Sequence, residues 1–178
     1  MGLNNKRDRL CLVQLSDGGG DVHLVQFAAG HYHAPNLCRL LTDAARTKIF
    51  HFARFDVAIM QQYLGITVAP IYCTRTASRL ARTYTDKHGY KDICKELLGV
   101  DVSKQQQSSD WGRADLSEDQ ISYAAADVLY LHRLRDVLDG MLVREGRRAL
   151  AGGCFDFIPH RAALDLAGWE DVDIFAHS

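Results

Sequence analysis

Residues 9–16 form an almost continuous apolar run, the pattern of a buried strand, and residues 22–27 repeat it. Between them, Asp17-Gly18-Gly19-Gly20-Asp21 is a glycine-rich turn, so the two runs predict a β-hairpin. Residues 35–41 carry helical spacing, with Pro35 suited to the first turn. A third short apolar strand is expected over 48–52. A helix follows over 55–64, with Gly65 as its C-terminal stop. Residues 70–73 read as a brief strand. Residues 74–84 and 90–98 read as two further helices, the second closed by Gly99. Residues 102–113 are polar and glutamine-rich and predict an ordered loop. Ser117 with Gln120 three residues on is a capping box. It opens one long helix running through Leu131 and Leu134 to about Val143. From Gly152 onward the character is mixed. Strands followed by helices, with no linker or internal repeat, imply a single three-layer α/β domain over 1–150 around one mixed sheet. Residues 151–178 are expected to be an extension packed on that domain or on a neighbouring subunit.

Composition narrows the class without changing this outline. The chain has 178 residues, 47% of them apolar and 24% charged, ordinary for a globular domain. No apolar run approaches the length that spans a bilayer, and the first eight residues lack the apolar centre of a signal peptide, so the cytosol is the expected location. Five cysteines without a Cys-x-x-Cys spacing predict reduced, mostly buried thiols. A net charge of −1 argues against a generic grip on long nucleic acids, which relies on a basic excess.

Two motifs carry chemistry. In Ile121-Ser122-Tyr123-Ala124-Ala125-Ala126-Asp127-Val128 a phenol and a carboxylate stand four residues apart, on one face of a helix. In His51-Phe52-Ala53-Arg54-Phe55-Asp56 a carboxylate follows the end of the third strand. Asp56 can therefore meet Tyr123 and Asp127 from the sheet side. Converging carboxylates suit hard divalent cations, and a tyrosine beside them could orient or deprotonate a water. That set fits metal-assisted phosphodiester hydrolysis. Each motif alone is weak: Tyr-x-x-x-Asp occurs in many helices, and an aspartate early in a helix is favoured by the dipole. His31-Tyr32-His33 reads as a solvated loop rather than a metal pair. Arg144, Arg147 and Arg148 read as a solvated helix face, with an oligomer contact or phosphate grip as the alternative.

Taken in order with the Ser109-Asp110-Trp111 segment between them, these motifs resemble the RNase D-like 3′→5′ exonucleases, a class named for four acidic residues plus a tyrosine. The similarity is closer to the nano-RNase C group of alphaproteobacteria. It is carried by Arg7-Asp8-Arg9-Leu10-Cys11, by Ser103-Lys104-Gln105-Gln106-Gln107-Ser108-Ser109-Asp110-Trp111, and by the tail from Gly168-Trp169 to Asp173-Ile174-Phe175-Ala176-His177-Ser178. The resemblance implies an RNase H-like fold and two divalent ions, magnesium or manganese, with release of mononucleotides from an RNA 3′ end. It also implies a preference for dinucleotides and very short RNA, and a ring-shaped homo-oligomer. It makes Asp56 and Asp127 metal ligands and Tyr123 the holder of the attacking water. It assigns Leu3 to a wedge against the terminal base. His51 and Phe55, which flank Asp56, and Lys104 and Gln107 are the other positions that could touch substrate. Asp110 and Trp111 are expected to anchor their loop.

The chain departs from the family at its start. Family members carry Asp-x-Glu on a first strand shortly before a Gly-Leu pair, and here Gly2-Leu3 follows Met1 directly. The expectation is that Met1 is an internal methionine of a longer reading frame. The 178 residues alone would then bind metal weakly and turn over negligibly. Three other readings remain: an RNase D-like processor of structured RNA 3′ ends, an exonuclease acting on DNA, and a non-catalytic subunit that keeps the exonuclease fold for binding or scaffolding.

Overall fold

The computed structural model describes residues 8–103 and 109–177. Strands β1 (Leu12–Ser16) and β2 (Val22–Gln26) form the expected antiparallel hairpin, with Leu12 opposite Gln26 and Ser16 opposite Val22. Its turn needs glycine at Gly18. The backbone there has φ +88°, and a Cβ would come within 2.9 Å of the His132 ring. The turn is thus docked against a helix more than a hundred residues downstream.

The chain then runs through α1 (Pro35–Thr42), β3 (Lys48–Phe50), α2 (Ala53–Leu64), β4 (Ile71–Cys73), α3 (Thr74–Ala81) and α4 (Tyr90–Leu98). Strands β3 and β4 pair in parallel, Lys48 beside Ile71 and Phe50 beside Cys73. Helices α2 and α4 end on Gly65 and Gly99, both in the left-handed region. Helix α3 stops at Ala81, three residues short of the expected end. The next residue, Arg82, is fully buried and donates to Ser78, the Lys87 carbonyl and the Glu96 carboxylate, contacts that pull the chain off the helical path.

Three further helices complete the fold: α5 (Glu118–Leu129), α6 (Leu131–Arg144) and α7 (Arg148–Leu166). The capping box that opens α5 is present in full, Gln120 N–H donating to the Ser117 hydroxyl and Ser117 N–H to the Gln120 side chain. The single long helix expected here is two helices, broken at Tyr130 (φ −101°, ψ 2°). Beyond the break, α6 buries Leu134, Leu138 and Leu142 completely, one residue per turn, against α3 and α4.

The segment from Gly152, mixed by composition, is helical as far as Leu166, inside α7. It persists through Gly152, Gly153 and Pro159 because Ala151, Phe155, Ile158 and Ala162 bury one face on α2 and β4. Tertiary packing outweighs propensities that cost about 1 kcal/mol per glycine and about 3 for proline. Arg161 and Arg54 both bond Asp165 and the carbonyl of Glu170, and Arg161 also holds the carbonyls of Trp169 and Val172. This ties the tail to α2 and α7. Of the three arginines read as a solvated face, Arg144 and Arg148 are exposed and paired with Glu145 and Asp139. Arg147 is instead half-buried and donates to the Leu80 carbonyl.

The architecture is α/β with helices packed around small sheets, but the strands do not form one sheet. Among the described residues β1 pairs only with β2, and β3 only with β4. Residues of β1 and β3 both line one cavity of about 940 Å³. Helix α5 covers the hairpin and α6 lies against β3, so the two halves meet around that cavity. The five cysteines are free, with Cys11, Cys73 and Cys94 buried. No described helix is long and apolar enough to cross a membrane.

Candidate active site

The cavity gathers the residues that the motifs single out. Asp56, Tyr123 and Asp127 line it, together with His51, Phe55 and Trp111. Leu3, Lys104 and Gln107 lie outside the described residues.

Asp56 owes its place to an abrupt strand-to-helix turn. After β3, Phe52 adopts φ +66°, the one non-glycine residue in the left-handed region among those described, and α2 begins at the next residue. The Arg75 guanidinium lies 4.7 Å above the Phe52 ring, a cation–π contact that fixes this turn. Asp56 then falls in the first turn of α2 and points into the cavity. Asp127 comes from the last turn of α5, with Tyr123 one turn before it. The Trp111 and Tyr123 rings are 6.0 Å apart, which seats the preceding loop against α5. Asp110 caps the Gly112 N–H, and its carbonyl accepts from the buried Gln120.

Burial and mutual repulsion set the charge state of the two carboxylates. Burial raises Asp56 from the ordinary carboxylate range to about 7, and repulsion from Asp127 adds to it. The helix dipole at the start of α2 would act the other way and does not win. Burial raises Asp127 to about 6, partly offset by a hydrogen bond from Tyr123. Tyr123 itself is pushed up to about 12 by burial and by the Asp127 charge, so it stays a phenol at neutral pH. Two desolvated carboxylates that repel each other are stabilised by a divalent cation, and the hard oxygen donors fit magnesium or manganese. Among the described residues no group of three or more histidine, cysteine or acidic side chains is placed to hold a metal. The pair by itself is an incomplete ligand set.

His51 is ordered by the same turn. Thr74 Oγ1 donates to the Phe50 carbonyl at 3.0 Å. Its single proton is used there, so at 3.0 Å from His51 Nδ1 it accepts. His51 therefore carries its proton on Nδ1, which leaves Nε2 as an acceptor. Burial, helped by Arg75, lowers the imidazole to about 4, so it is neutral. Sequence reasoning missed Thr74, Arg75 and Tyr90, all of which line or support the cavity. No local motif marks them, since their partners are more than twenty residues away in the chain.

A family model described as 3′-5′ exonuclease matches residues 1–143. Ribonuclease D of Acidiphilium cryptum is 37% identical over 155 residues, which cover 87% of this chain and 37% of that protein. Brucella melitensis NrnC bound to pGG superposes with a TM-score of 0.96 at 55% identity, over 99% of this chain and 86% of that one. The same protein with bound Mg2+ gives 0.95 at 54%, with the same coverage. The chain belongs to the 3′-5′ exonuclease family. Its fold is that of the RNase D and NrnC exonucleases, and it spans little more than a third of the length of the curated relatives it matches.

Proposed function

We propose that this protein is a metal-dependent 3′→5′ exoribonuclease that hydrolyses very short RNA, dinucleotides included, to mononucleotides. The observation that carries this reading is the meeting of Asp56 and Asp127, from two helices far apart in sequence, in one cavity with Tyr123 one helical turn before the second carboxylate. Asp56 and Asp127 would hold divalent metal. Two bound ions would supply an acidic water for in-line attack and charge to stabilise the leaving 3′ oxygen. Tyr123, protonated at neutral pH, orients that water rather than abstracting its proton. His51 Nε2, an open acceptor on the cavity wall, suits a substrate hydroxyl, and Phe55 offers an apolar face. Leu3 is assigned to the terminal base through the resemblance, and Lys104 and Gln107 are candidates to contact a phosphate or ribose. Completing the ligand set needs further carboxylates beside this pair, the part that the resemblance gives to the family's Asp-x-Glu motif.

The Mg2+-bound and pGG-bound Brucella melitensis NrnC structures support a divalent ion and a short substrate. A near-neutral chain needs no long basic track if substrate size is limited by access within a homo-oligomeric ring. Such a ring would cover the apolar tail, where Phe175 is 78% exposed. Work in the cytoplasm fits the absence, among the described residues, of a helix able to cross a membrane.

The test is cleavage of a 5′-labelled RNA dinucleotide with Mg2+ or Mn2+, using protein extended upstream in its reading frame, with Asp127→Ala as control. Labelled mononucleotide is expected from the extended protein and not from the variant. No product from the extended protein, or equal product from Asp127→Ala, overturns the reading. The incomplete ligand set also favours a second reading, a non-catalytic subunit. A stop codon or unrelated sequence in frame before Met1 would select it.

A further inference from the structure

Tyr90, the first residue of α4, bears on the same site. Its ring meets the His51 ring edge-on at 5.6 Å. Its hydroxyl donates to the Ala126 carbonyl at 2.8 Å and accepts from the Tyr130 N–H at 3.4 Å. Residues 126 and 130 are i and i+4, the two groups that bond each other in an unbroken helix. The Tyr90 hydroxyl stands between these two groups instead, and the Tyr130 N–H also turns to the Val128 carbonyl. No glycine or proline lies near the break, and insertion of a side chain into the ladder is a sufficient cause. At the break α5 ends on Leu129 and α6 starts on Leu131.

Asp127 follows Ala126 directly, inside the turn that the hydroxyl opens. Because of the break, α5 can lie on the β1–β2 hairpin while α6 packs on α3, α4 and β3. A continuous helix would follow one axis through both sets of contacts, so the break sets how the Tyr123–Asp127 face of α5 is directed relative to α6. Packing alone would need only the Tyr90 ring. A hydroxyl that replaces a backbone hydrogen bond beside a metal-binding carboxylate has a more specific role.

We propose that Tyr90 is a positioning residue: its hydroxyl, wedged between Ala126 and Tyr130, holds the helix break that aims Tyr123 and Asp127 at Asp56. This rests on the exonuclease reading for its consequence, though the break itself is independent of it.

Tyr90→Phe tests it, since the ring stays and Ala126 and Tyr130 are freed to bond each other. In metal-free protein, the backbone carbon NMR shifts of residues 126–131 are expected to move to values of a continuous helix. The melting temperature should change little. In upstream-extended protein, Mn2+ affinity, read by titration, is expected to fall about ten- to a hundredfold, the usual effect of removing a support behind a ligand. In an Asp127→Asn background, Tyr90→Phe should add nothing. Unchanged shifts at 126–131 overturn the proposal. So does a closed helix with wild-type Mn2+ affinity when Asp127→Asn has lost it. If Asp127→Asn leaves Mn2+ binding untouched, the exonuclease reading fails, and the shifts alone decide whether Tyr90 makes the break.

Discussion

Asp56→Asn should stabilise the metal-free protein at alkaline pH, and the pH dependence of that gain is the diagnostic part. Burial and Asp127 lift Asp56 to about 7 from an ordinary value of 3.8. The folded state therefore binds its proton more tightly than the unfolded chain does. Between about pH 4 and pH 7 the folded protein carries more protons than the unfolded one, so stability falls as pH rises through that window. Above pH 7 the penalty is fully present, and below pH 4 it is absent. At 1.36 kcal/mol per unit, a shift of this size corresponds to about 4 kcal/mol. An asparagine left with imperfect hydrogen bonds gives back about 1–3 kcal/mol. The expected net gain at pH 8 is about 2 kcal/mol, or about 4–8 °C in melting temperature for a chain of this size. Thermal unfolding in EDTA at pH 8 and at pH 4 measures it: the variant should melt higher at pH 8 and no higher at pH 4. Mg2+ should then raise the melting temperature of the wild type more than that of the variant, because it binds a charge pair that only the wild type has. An Asp56→Asn protein that melts at or below the wild type at pH 8, or that shows the same difference at both pH values, would refute the argument.

Other substitutions probe separate parts of the structure. Tyr123→Phe in upstream-extended protein should lower dinucleotide turnover by about a hundredfold while Mn2+ affinity, measured by titration, is retained; a matching loss of metal would mean that the phenol supports the ligand instead. Asp165→Asn strands two guanidiniums against a nearly buried site and should cost about 3 kcal/mol in urea unfolding, with faster proteolysis after Gly168. An unchanged urea midpoint would mean the tail is held by the backbone contacts alone. His51, pushed down to about 4, should stay neutral from pH 5 to pH 8, with the Nδ1-protonated tautomer visible in its nitrogen NMR shifts. A midpoint near 6.5 would show that the imidazole is not buried against Thr74 and Arg75 as described.

The motifs that single out the candidate site are legible because they are local. Four residues separate Tyr123 from Asp127, and any helix places them on one face. Ser117 and Gln120 announce the start of that helix, and Gly65 and Gly99 announce two helix ends, through backbone preferences that act over a few residues. The hairpin turn at 17–21 is equally local, although no pattern along the chain shows that Gly18 also has to clear His132. The resemblance named the fold correctly, yet periodicity alone overstated the sheet as one piece.

What the sequence determined by itself was the identity and order of the elements and the chemistry they bring: a carboxylate after a strand, and a phenol and carboxylate on one helix face. Only the tertiary structure decided how these meet. The break at Tyr130 depends on a hydroxyl forty residues away. The tautomer of His51 depends on Thr74, and the raised carboxylates depend on burial and on each other. Helix α7 survives two glycines and a proline because α2 and β4 cover its apolar face. Each of these outcomes is set by a partner distant in the chain, and no pattern along a single stretch of residues contains the free energy of a contact that forms only when the chain has folded.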